Sequence, residues 1–121
     1  MAALLTYFAY FKGWIFANFE NISPQEAHAL LAEPNEIIIV DVRSSEEFIE
    51  DHIKGAISIP FEILDIHTRL VKSKRKILVY SERGEISVEA SRLIAKRGFE
   101  VLNLEGGVVF WIRAGYEVVN D

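Results

Sequence analysis

The chain has 121 residues and a formal net charge of −5; half of its residues are hydrophobic and none is cysteine. This length allows one domain with a single hydrophobic core. The negative charge argues against a nucleic-acid partner, because phosphate binding needs a cationic face. The absence of cysteine excludes disulfides, thiolate metal sites and cysteine nucleophiles.

The first segment, residues 1–19, differs from the rest of the chain. It holds half of the aromatic residues, and its one charged side chain is Lys12. It has neither the cationic start nor the cleavage site of a secretory signal. Helical spacing of its apolar residues predicts a helix; these residues are Leu4, Phe8, Phe11, Ile15 and Phe19. We therefore divide the chain into this N-terminal helix, residues 1–19, and a main domain, residues 20–121.

Three roles stay open for the N-terminal helix, because it is apolar most of the way round. The first role is packing on its own domain, the second is contact with a partner or with the second copy of a homodimer, and the third is insertion at a membrane surface. The expected location of the protein is the cytoplasm, with membrane association through residues 1–19 as the alternative.

From Ile22 onward, helix and strand patterns alternate. Ser23, Pro24 and Glu26 provide an N-cap, a first-turn proline and a capping-box acid for a helix that ends near Ala32. The β-branched run at 37–40 predicts a strand buried on both faces. The other predicted elements are a short helix capped by Ser44 or Ser45, a strand at 56–59, a helix at 61–71, a strand at 77–80, a helix at 87–97, a strand at 101–104 and a helix at 108–114.

Alternating strands and helices predict an α/β fold with a parallel sheet flanked by helices on both faces. Ligands of such sheets bind beyond the carboxyl ends of the strands. The segments that follow Val40 and Tyr80 are therefore the candidate site.

Three groups of residues match the pattern of one family. They are Asp41-Val42-Arg43 with Glu47-Phe48, residues 52–56 and Ile59-Pro60; residues 77–80 with the six-residue loop and the helix that follow; and Gly98-Phe99 with residues 104–107, Trp111 and Ala114-Gly115. In this order and spacing they resemble the rhodanese-like domains over residues 20–119. The resemblance implies the rhodanese-like α/β fold, to which the N-terminal helix is an addition.

The resemblance also implies where the site lies. In active members, a cysteine stands at the position of Ser81 and begins a loop, residues 81–86 here, whose backbone N–H groups point inward. Such a loop, with a helix N-terminus behind it, lowers a thiol pKa and holds an anion. The thiolate takes sulfur from a donor such as thiosulfate and passes it to a thiophilic acceptor. Asp41 and Arg43 also match the family motif, and we expect them to be structural, paired with the backbone or with each other.

The loop departs from the family pattern in two ways. Ser81 offers a hydroxyl, which such a loop cannot ionise at neutral pH and which cannot carry sulfane sulfur. The neighbouring charges are also unfavourable, because two carboxylates and one guanidinium would surround an anionic donor. The loop residues are Ser81, Glu82, Arg83, Gly84, Glu85 and Ile86, and Ile86 stands where active members commonly have arginine.

We therefore expect a domain that is inactive as a sulfurtransferase and acts as a binding or regulatory module for a protein partner or a small anion. The alternative is an enzyme, a hydrolase or a transferase, that uses the loop with Ser81. A serine nucleophile needs a positioned base, and His28, His52 and His67 are all distant in sequence. No cluster has metal-ligand spacing, so we expect neither a metal nor another cofactor.

Overall fold

The computed structural model describes residues 18–33, 37–64 and 75–121. In these ranges, five strands alternate with four α-helices and one 3-10 turn. The strands are β1 (Glu20–Ile22), β2 (Ile37–Asp41), β3 (Ile57–Ser58), β4 (Lys76–Tyr80) and β5 (Val101–Leu104). The helices are α1 (Pro24–Leu31), α2 (Ser45–Glu50), α3 (Glu85–Lys96) and α4 (Gly107–Arg113), and the 3-10 turn is Phe61–Ile63.

The strands form one sheet in the order β1-β5-β4-β2-β3. Every pairing between them is parallel. Hydrophobic side chains cover both faces of this sheet. The cluster beside α1 and α4 includes Ala27, Ile39, Leu78, Leu104 and Trp111; the cluster beside α3 includes Val40, Ile77, Val79, Ala90 and Ile94. The predicted parallel sheet with helices on both faces is confirmed.

Serine capping boxes begin the first two helices, as the sequence indicated. The Ser23 hydroxyl accepts a hydrogen bond from the Glu26 backbone N–H, and the Glu26 carboxylate accepts one from the Ser23 N–H. Ser44 and Glu47 repeat this arrangement at α2. Ser44, rather than Ser45, is therefore the cap of α2, and the loop after β2 leaves the sheet in a fixed direction.

Three elements differ from the prediction. Strand β1 was missed, because its three residues at the sheet edge are too few for a readable periodicity. Helix α3 begins at Glu85, two residues before the predicted start, because Gly84 at φ 97° turns the chain directly into the helix. In the helix predicted at 61–71, the described part contains only the 3-10 turn; residues 65–71 lie outside the described residues.

The predicted N-terminal helix lies almost wholly outside the described residues. Only Asn18 and Phe19 of that segment are described, and Phe19 packs against the α3 side of the core. The division of the chain at residue 19 therefore stays a prediction. In the described part of the chain, no helix has the length and apolar character needed to cross a bilayer.

Helix α4 is docked directly on the loop that follows β4. Its Val108 and Val109 N–H groups donate to the carbonyl oxygens of Ser81 and Glu82, at 2.9 and 3.1 Å. Gly107 begins this helix at φ 63°, and a Cβ there would collide with both of these carbonyl groups. The first turn of α4 and the loop can therefore meet only through a residue without a side chain.

We expect Gly107→Ala to destabilise the protein by about 3 kcal/mol or more, through left-handed strain and a backbone clash together. Gly98→Ala is the matched control, since Gly98 has φ 97° and no atom within 4 Å of an added Cβ. It carries the strain alone and should cost about 1 kcal/mol. Urea unfolding measures both values, and equal losses would contradict the close approach of α4 to the loop.

Candidate functional site

The candidate site lies at the carboxyl ends of β2 and β4, at the centre of the sheet. Asp41 and Tyr80, the last residues of these strands, are partners in the register. Ser81 follows Tyr80 and is buried, with 4 % of its surface exposed. The parallel sheet therefore brings the two sequence-predicted segments together, as expected for this fold class.

Arg43 is the centre of a buried ion-pair network beside the loop. Its guanidinium contacts the Asp41 carboxylate through Nη2 at 2.9 Å and through Nε at 3.1 and 3.2 Å. Nη1 reaches Asp51 at 3.3 Å and Glu82 at 3.2 Å, and Nη2 also donates to the Asp51 carbonyl. Arg43 thus connects the end of β2, the end of α2 and the loop, and it pairs with Asp41, which is one of the pairings that the sequence predicted.

Tyr80 joins the same network from β4. Its hydroxyl accepts a hydrogen bond from the Ile53 N–H at 3.1 Å and bonds to the Asp41 carboxylate. Burial raises the pKa of Tyr80, and the charge and hydrogen bond of Asp41 raise it further, so the phenol stays neutral. Burial lowers the pKa of Arg43, but Asp41 outweighs this effect and the net pKa is raised. Tyr80 therefore stays neutral and Arg43 stays positively charged across the physiological range.

The Ser81 hydroxyl is held by the loop itself. Its oxygen accepts hydrogen bonds from the N–H groups of Gly84 at 3.0 Å and Ser87 at 3.3 Å. It donates to the Ser87 hydroxyl at 3.1 Å, which in turn donates to the Gly84 carbonyl at 3.1 Å. Two backbone N–H groups thus converge on the γ atom of residue 81, which is the arrangement that would favour a negative charge there.

The outer side of the loop forms a small depression. Its volume is about 180 Å³, and it is lined by Ser81, Glu82, Arg83, Glu85 and Ile86. Five of the six predicted loop residues therefore line one depression, although Glu85 and Ile86 already belong to α3. The two predicted carboxylates differ in their surroundings, because Glu82 pairs with Arg43 while Glu85 has no ion-pair partner among the described residues.

Sequence reasoning missed three participants in this site: Asp51, Tyr80 and Ser87. Asp51 is the C-cap of α2, so no local pattern marked it as a partner of Arg43. Tyr80 was assigned only to a strand, and its register with Asp41 brings its hydroxyl into the network. Ser87 was taken as a helix start, and the available signal was a hydroxyl in the first turn of a helix, where serine commonly bonds to nearby backbone groups.

Comparison with known proteins shows the family to which this chain belongs. The family model of the rhodanese-like domain matches residues 23–114, most of the chain. The chain belongs to the rhodanese-like family. A sulfurtransferase from Allochromatium vinosum is 29% identical over 90 residues, which cover 74% of this chain and 84% of that protein.

Two further relatives show the range of proteins in which this rhodanese-like domain occurs. An HTH-type transcriptional regulator from Mycobacterium tuberculosis is 37% identical over 89 residues, which cover 71% of this chain and 39% of the regulator. Among solved structures, the BH2092 protein from Bacillus halodurans superimposes with a TM-score of 0.75 at 29% identity. That match covers 97% of this chain and 85% of the other. The domain is thus related to sulfurtransferases and also matches part of a longer regulator.

Proposed function

We propose that this rhodanese-like domain is inactive as a sulfurtransferase and acts as a binding or regulatory module. The observation that carries the proposal is the hydroxyl of Ser81 at the position where active members carry a thiol. Oxygen forms no usable persulfide, and two N–H groups cannot lower a hydroxyl pKa to neutrality. The Gly84 and Ser87 N–H groups bond to the Ser81 hydroxyl itself, so the support for a binding role is the ordered loop and the depression on its outer side, which Arg83 helps to line.

The arrangement does not favour a hydrolase or transferase in which Ser81 is the nucleophile. Such an enzyme needs a base within hydrogen-bond reach of the serine oxygen. In the described residues, the partners of the Ser81 hydroxyl are Ser87 and the Gly84 N–H. His52 is engaged elsewhere, with the Phe48 carbonyl at 2.7 Å and Asp121 at 3.4 Å. His28 stacks on Tyr116, and His67 lies outside the described residues.

The relatives are named for two kinds of role. One of them is named as a transcriptional regulator, and this chain matches 39% of its length. Another is named as a sulfurtransferase. Neither name assigns a role to this chain, and the Ser81 hydroxyl is the ground on which we propose regulation rather than catalysis.

We expect the purified chain to produce no thiocyanate above the blank when it is incubated with thiosulfate and cyanide. The reason is that no atom of the loop can hold the transferred sulfur between the two half-reactions. Mass spectrometry after incubation with thiosulfate alone gives an independent readout, because a covalent sulfur adduct adds one sulfur mass. Steady thiocyanate production or such an adduct would refute the proposal.

A further inference from the structure

A second groove lies beside the loop, between the carboxyl ends of β1 and β5 and the first half of α3. Its volume is about 480 Å³, within the range of small-ligand sites. The groove is lined by Asn21, Arg83, Gly84, Glu85, Val88, Glu89, Arg92, Asn103, Glu105 and Gly106. It shares Arg83 and Glu85 with the loop depression but does not include Ser81. The family resemblance assigns no role to Asn21, Asn103 or Glu89.

Asn103 gives this groove a polar floor. It is 2 % exposed, and its Nδ2 donates to the Asn21 Oδ1 at 2.9 Å across the β1–β5 pairing. Its Oδ1 is buried and has no hydrogen-bond partner among the described residues. The hydroxyls of Ser58 and Ser91 are also buried without a hydrogen-bond partner, but neither residue lines the groove. An unpaired buried acceptor costs about 1–3 kcal/mol, and a donor that enters the groove would relieve this cost.

The rim of the groove carries unpaired charges of both signs. Glu89 pairs with Arg92 at 3.1 Å. Arg83, Glu85 and Glu105 are exposed and have no ion-pair partner among the described residues. The two unpaired carboxylates would repel a simple anion, and Arg83 would repel a simple cation. A ligand that carries both charges is complementary to the rim as a whole.

We propose that this groove binds a small zwitterion of the α-amino-acid type. Arg83 receives the carboxylate, because a guanidinium binds carboxylates with paired N–H donors. Glu85 and Glu105 receive the ammonium group, and a small rotation of the Asn103 amide lets a ligand N–H, directly or through one water, supply the missing donor to its Oδ1. The proposal rests on the proposed binding role of the domain and gives that role a ligand class.

The test is a titration of the full chain with each of the common L-amino acids. The NMR signals of the Asn21 and Asn103 side-chain amides report on the groove. At least one amino acid should shift both signals in a saturable way. Its decarboxylated and deaminated analogues should each bind at least about tenfold more weakly, since each lacks one charge-assisted contact. No saturable shift with any amino acid, or equal binding of either analogue, would overturn the proposal.

Variants separate the proposed contacts from folding. Arg83→Gln and Glu105→Gln alter exposed side chains and should each weaken binding about tenfold. Asn103→Leu removes the floor acceptor and should abolish binding. Arg97→Gln, at the far end of α3, should leave binding unchanged. Unaltered binding in both Arg83→Gln and Glu105→Gln would refute the site.

Failure of this inference is distinguishable from failure of the proposed function. Thiocyanate production would refute the inactive loop and leave the amino-acid titration unaffected. A titration without response would refute the groove and leave thiocyanate at the blank. The two experiments use the same unmodified chain and read different residues, Ser81 in one and Asn103 in the other.

Discussion

Arg43→Met should be among the most destabilising single substitutions in this domain, with a loss of about 3–5 kcal/mol in the free energy of unfolding. The substitution keeps most of the side-chain volume but removes the positive charge from the Asp41 carboxylate, which is 0 % exposed. Asp41 would keep only the Arg43 backbone N–H and the Tyr80 hydroxyl as partners. A buried carboxylate with no counter-charge is the costly species. Urea unfolding monitored by circular dichroism measures the loss.

A double-mutant cycle distinguishes this charge effect from lost packing. Asp41→Asn alone also leaves an unbalanced charge, on Arg43, although Asp51 and Glu82 still pair with it. The double variant removes both charges and should therefore lose less than the sum of the single losses, by at least about 1 kcal/mol. Arg97→Met is the matched control, because Arg97 is exposed at the end of α3 and should change stability by less than about 0.5 kcal/mol. Additive losses would contradict the Asp41–Arg43 coupling.

The buried ion-pair network fixes the position of the loop through contacts that do not involve the Ser81 side chain. Arg43 connects β2, α2 and the loop, and α4 supports the loop from the other side through its N–H groups. Neither the ion pairs of Arg43 nor the hydrogen bonds from α4 involve the γ atom of Ser81. These contacts therefore stay in place when the side chain at position 81 is changed, and the ordered loop that the proposed binding role needs does not depend on a thiol.

The fold was predictable from the sequence where local signals were strong. The capping boxes at Ser23 and Ser44 and the β-branched run of β2 each specify an element by short-range chemistry. Strand β1 lacks such a signal. It is a strand because β5 pairs with it at the sheet edge, and this pairing spans most of the chain. Local patterns cannot show a partner so distant in sequence.

The site was predictable in position but not in its electrostatics. The sequence placed Ser81 and the two loop carboxylates together and indicated mutual repulsion with an anion. The structure shows that Glu82 is engaged by Arg43, so the two carboxylates are not equivalent. Asn103 was not singled out at all. One polar residue in an apolar strand does not predict a site until its neighbours across the sheet are known.

Ser81→Cys should give a thiol whose pKa lies well below that of an exposed cysteine. The Gly84 and Ser87 N–H groups already point at the γ atom, and the Ser87 hydroxyl can donate to a thiolate as well. Hydrogen bonds to the charged form lower a pKa, and here they oppose the desolvation of a site that is 4 % exposed. Thiolate absorbance against pH measures the value. Asn120→Cys, exposed near the C-terminus, is the reference thiol, and equal pKa values would contradict a charge-stabilising loop.

Sulfur transfer by Ser81→Cys should nevertheless stay weak, because the acidic loop residues repel thiosulfate. Glu85 lacks an ion-pair partner in the described residues, while Arg43 partly balances Glu82. Adding Glu85→Gln to Ser81→Cys should therefore raise kcat/KM for thiosulfate several-fold, and adding Glu82→Gln should raise it less. High ionic strength should narrow the difference, since screening weakens the repulsion between exposed charges. Vigorous turnover by Ser81→Cys alone would show that the missing thiol is the only barrier, and that the acidic residues do not limit access of the donor.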